Sequence, residues 1–135
     1  MIIAGVATAL LFGPDGPLGG FWRPAEGSAE PSGLLIPGFI AVALAEGLAL
    51  GIALAVLVFG RPWFNGLVPR PRLALAAWIA TIWLLASWWP HTATHRFVGD
   101  DLGGLLAAEW IFHVTSMVAG AIVVVAIATG SKRRV

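Results

Sequence analysis

The chain has 135 residues, 59% of them hydrophobic and only 11% charged, with a mean hydropathy of +0.89. Soluble domains run about 45–50% apolar and about 25% charged, so a soluble globular fold is excluded, and the length allows one domain, 1–135, with no separate catalytic module. The absence of Cys removes disulfides, thiolate metal sites and thiol redox chemistry, and a net charge of +1 provides no basic field for nucleic acid.

In chain order, residues 1–12 are apolar but reach only about 18 Å as a helix. They read as a short first transmembrane helix. The alternative is a signal peptide, since Ala7-Thr8-Ala9 has the form of a cleavage site, but no basic residue precedes it. Residues 13–33 are dense in Gly and Pro and predict an irregular extracytoplasmic loop. The second helix, 34–60, carries one charge, Glu46, and a Gly47/Gly51 pair continued at the same spacing by Ala43 and Ala55. That stripe marks a close helix crossing within a bundle in preference to a homodimer face.

Residues 61–72 hold Arg61, Arg70 and Arg72, and Pro62, Pro69 and Pro71 are expected to prevent helix there. The third helix, 73–90, offers Ala76, Ala77 and Ala80 as small packing surfaces, and the fourth, 104–130, offers Gly120. Between them lie His91, His95, Arg96, Asp100 and Asp101; the two aspartates, just before Gly103, read as a helix cap. The tail ends Lys132-Arg133-Arg134.

Six of the eight basic residues fall in the second connection or the tail. Positive charge marks the cytoplasmic side, so both termini and that connection face inward and the acid-rich connections face outward. Trp22, Trp63, Trp88, Trp89 and Trp110 lie near helix ends, as in an interfacial aromatic belt. The fold class is an all-α integral membrane protein, an antiparallel four-helix transmembrane bundle with a short first helix.

Ionisable groups inside a membrane are costly and usually face a partner or a cavity. Glu109 and His113 are four apart on one helix face, with Ser116 and Met117 continuing it. Ser87, His91 and His95 share a face if helix runs past Pro90, either as a kink or as the start of a new helix. The connection between these helices is short, so His91, His95, Glu109 and His113 converge near the outer surface, and they include every histidine of the chain.

That donor set suits a divalent transition metal, Zn, Cu or Fe, with Mn also compatible. The lack of thiolates and the presence of two Met count against Cu(I). His113, being the most deeply embedded, is expected to cost the most metal when removed. The plainer reading pairs Glu109 with His113 or Arg96 and leaves His91 and His95 on a wet loop. Haem fits less well, because only one histidine is embedded, and a proton relay or quinone pocket beside Trp110 and Phe112 is the remaining option. Glu46, about 18 Å from the outer end of its helix, has no basic residue at its depth. It is expected to be neutral or paired with His113, Ser116 or Thr81, acting with Ser116 and Met117 in support of the site or in proton transfer.

The sequence thus points to a small multi-pass protein of the cytoplasmic membrane, with a His/Glu metal site for metal handling or metal-dependent redox chemistry. Whether it is an enzyme is left open. The alternative is a non-catalytic accessory or assembly subunit of a larger respiratory or transport complex. Its partners would be the bilayer and either further copies of itself or such a complex.

Overall fold

A computed structural model describes residues 33–98 and 101–131. The expected first helix, the Gly/Pro loop up to residue 32, Asp100, the side chain of Arg96 and the basic tail 132–135 lie outside the described residues. The described chain is all helical. A short 3-10 turn, Gly33–Leu35, leads into α1 (Ile36–Phe59), followed by α2 (Arg61–Leu67), α3 (Pro71–Ala86), α4 (Trp88–Val98) and α5 (Leu102–Ser131). Three stretches are long and apolar enough to cross a membrane: Ile36–Phe59, Pro71–Thr92 and Leu102–Ser131.

One expectation about the connections needs correction. Residues 61–72 are not helix-free, because Pro62 and Pro71 occupy the first turns of α2 and α3. There proline removes only an N–H that would lack an intrahelical partner, and its fixed φ suits a helix start. Of the two alternatives at Pro90, the start of a new helix is the one observed: the third helix bends at Ser87 and a new one starts at Trp88 and runs to Val98. Backbone bonds carry across the bend, with Ser87 N–H donating to Trp83 O and His91 N–H to Ser87 O. Pro90 falls in the first turn of α4, which puts Ser87, His91 and His95 on one face. Asp101 caps α5 as expected, its Oδ1 accepting from Gly103 N–H at 3.1 Å.

Helix α3 lies between α1 and α5 and packs on both, while α4 packs on α5 and more lightly on α1. This position explains its composition. Ala74, Ala77 and Ala80 are buried, as are Gly47, Gly51 and Ala53 on α1 and Ala119 and Ala126 on α5. Small residues let helix backbones approach closely where lipid tails remove any hydrophobic drive between helices. Large side chains such as Leu44, Val58, Trp110 and Val124 point outward and are mostly exposed, as on a lipid-facing surface. Trp63 and Trp88 are exposed near the helix ends.

The small-residue stripe on α1 is covered only in its middle, since Ala43 is exposed. On α5, Gly120 faces open space, and the alanines at 119 and 126 make the packed surface instead. Gly130 is the glycine that matters on this helix, because a Cβ there would stand 2.7 Å from Leu67 O at the end of α2. Gly130→Ala is therefore expected to destabilise the fold by about 1–3 kcal/mol. Gly120→Ala should be neutral or slightly stabilising through helix propensity. Unfolding of the two variants in detergent checks this, and equal behaviour would remove the close approach from the account.

Candidate metal centre

The site is built on α4 and α5, joined by the short connection 99–101. Two turns of α4 present His91 and His95 at i, i+4, and the capped start of α5 presents Glu109 opposite them. His95 Nε2 lies 2.7 Å from Glu109 Oε1, His91 Nε2 lies 3.9 Å from the same oxygen, and the two Nε2 atoms are 3.2 Å apart. Among the described residues, His91, His95 and Glu109 form a group whose ligand atoms all lie within 4.8 Å of one another, close enough to hold a metal ion. Metal–ligand bonds of 2.0–2.1 Å set tetrahedral ligand atoms about 3.3–3.4 Å apart. The observed separations bracket that edge.

His113 has a different place. Its Nδ1 faces two acceptors of Glu109, the backbone oxygen at 2.8 Å and Oε2 at 2.9 Å, so this nitrogen carries the proton. The imidazole thus holds the second carboxylate oxygen while Oε1 turns toward His91 and His95. Its side chain is 59% exposed. His91 is the best-enclosed histidine, 13% exposed, with its ring stacked on Phe112 at a centroid distance of 3.8 Å. Trp88 packs edge-on against the same Phe112.

The remaining sequence candidates scatter. Glu46 does not meet His113, Ser116 or Thr81; its Oε1 accepts from Thr92 Oγ1 at 2.5 Å, tying α1 to α4 beside His91. Thr81 Oγ1 donates to Ala77 O within its own helix. Ser116 Oγ is buried with no partner among the described residues. Met117 is 74% exposed and points away from the cluster. Eight residues beyond Glu109, a 3.6-residue period has carried it about 80° around the helix. Trp110 likewise faces outward, and Phe112 is the aromatic that touches the site.

Sequence reasoning missed Thr92 and the role of Phe112. Extending helix past Pro90 would have revealed Thr92 as a polar residue on the helical stretch that faces Glu46. Comparison with known proteins finds no match to a family model, a curated protein or a solved structure. The functional reading therefore rests on these side chains.

Proposed function

We propose that this chain is a multi-pass protein of the cytoplasmic membrane that holds a divalent transition metal between His91, His95 and Glu109. The observation that carries the reading is the meeting of three ligand atoms from two helices within reach of one ion. Two imidazoles and a carboxylate suit Zn, Fe(II) or Cu(II). Three protein ligands leave a coordination position open, which serves metal transfer, Lewis-acid work or redox chemistry equally. Two imidazoles and one carboxylate would bind the ion, and His113 would keep Glu109 turned toward it, a supporting contact of the kind that tunes affinity.

The supporting architecture is a single antiparallel bundle in which residues 1–12 add a fourth crossing and both termini face the cytoplasm. Contacts between α1 and the α3–α4 stretch favour opposite directions: Trp78 Nε1 donates to Val56 O at 2.8 Å, while Thr92 meets Glu46. The later residue of one helix thus pairs with the earlier residue of the other. A thiol introduced as Ser131→Cys, the sole one in the chain, should react with an impermeant reagent only after the membrane is permeabilised. Labelling in intact cells would invert the topology and place the His/Glu cluster on the cytoplasmic side.

Metal analysis of protein purified from metal-replete medium tests the central claim, with about one ion per chain expected. Retention should weaken as pH is lowered, because protons compete for the imidazole lone pairs that ligate. A metal-free preparation would leave a hydrogen-bonded His/Glu cluster and move the reading to an accessory subunit of a larger membrane complex.

A further inference from the structure

Between the α3–α4 bend and α5 lies a cavity of about 520 Å³, within the range of small-molecule sites. Trp83, Ala86, Ala108 and Phe112 make its walls largely apolar; Ser87, His91 and Thr94 add polar groups, of which the Thr94 hydroxyl donates to Pro90 O. The other two, Ser87 Oγ and His91 Nδ1, are buried and have no hydrogen-bond partner among the described residues. Ser87 is only 6% exposed, and it does not bond back to the preceding turn as serines in helices commonly do. Buried polar groups are nearly always satisfied, so two orphans on one cavity wall point to something that satisfies them.

The chemistry of His91 narrows the choice. Its Nε2 faces His95 and Glu109. When that nitrogen ligates a metal, the neutral ring carries its proton on Nδ1. A ligating histidine ordinarily donates this second N–H to an acceptor, and among the described residues none is bonded to it. We infer that the cavity binds a lipid-soluble carbonyl compound of the quinone class, whose carbonyl oxygen accepts from His91 Nδ1 and from the Ser87 hydroxyl. Three ring side chains on its wall, Trp83 and the stacked His91–Phe112 pair, suit a planar ring better than a lipid chain. The tautomer step rests on the metal reading, whereas the cavity and the Ser87 hydroxyl do not.

The test titrates the purified full-length protein with a decyl-substituted benzoquinone, following saturable quenching of tryptophan fluorescence, with decylbenzene as the carbonyl-free control. One quinone per chain is expected, with binding weakened roughly five-fold in Ser87→Ala through loss of one hydrogen bond. Two separate cavity-filling variants, Ala108→Phe and Ala86→Leu, should each weaken it at least about ten-fold, since each adds side-chain volume to the wall. Metal content is measured on every variant. Quinone binding by metal-free protein would uphold this inference while the metal reading falls, and intact metal without quinone binding would overturn this inference alone. Equal binding of decylbenzene, or unchanged quinone binding in Ser87→Ala and both filled variants, would likewise overturn it, leaving a groove for lipid chains or water.

Discussion

Glu109→Gln is expected to lose metal by more than about a hundred-fold in affinity. The substitution removes the charge that offsets the cation and leaves His95 and His113 without a carboxylate partner. His91→Ala and His95→Ala should approach the same loss, because with one imidazole and one carboxylate left the ion falls below the three protein ligands a retained site needs. His113→Ala should cost less, about 10–100-fold, the usual effect of removing a group that orients a ligand. This ordering reverses the expectation from depth alone, which put His113 first. Titrating metal-stripped variants with Zn²⁺ against a chelator measures all four. Should His113→Ala prove the most damaging, His113 itself would be a ligand and the three-residue site would be wrong.

Glu46→Lys should fail to yield folded protein, since a cation at that position costs about 2.5–3.5 kcal/mol in the membrane and finds the Thr92 hydroxyl in place of an acidic partner. Glu46→Gln keeps an oxygen that can accept from Thr92 and should fold nearly as well as the parent. Thr92→Val, which strands the carboxyl group between α1 and α4, should destabilise by about 1–3 kcal/mol. Yield and detergent unfolding of the three variants decide the matter. Strong loss in Glu46→Gln would mean that the carboxylate charge itself holds α1 in place.

Much of this architecture is legible in the apolar runs. Residues 34–60 and 104–130 anticipate α1 and α5 within a few positions, because lipid exposure demands apolar side chains all round and few sequences meet that demand by chance. Prolines were harder to read. Pro62 and Pro71 occupy first turns, where proline begins a helix, yet composition alone suggests that they interrupt one, and at Pro90 it leaves a kink and a helix start equally open. The convergence of His91, His95 and Glu109 followed from helical spacing and a short connection. Which nitrogen faces which oxygen did not, because that depends on how far α4 rotates at the Ser87 bend. Similarly, Gly120 and Ala119 look interchangeable as small residues, and only the packing of α5 on α3 shows which one is covered.

The short connection 99–101 has a consequence for the order of assembly. The three residues of the cluster lie within two consecutive helices, separated by at most 18 positions, so little chain entropy opposes their meeting. Glu109 is made 14 residues after His95, and until it is added His91 and His95 face no carboxylate on α5. Insertion of α5 closes the site, with its Asp101 cap forming at the same step. On the proposed reading an ion would load only after that step, and a chain truncated before residue 109 would carry its two imidazoles with nothing to complete them.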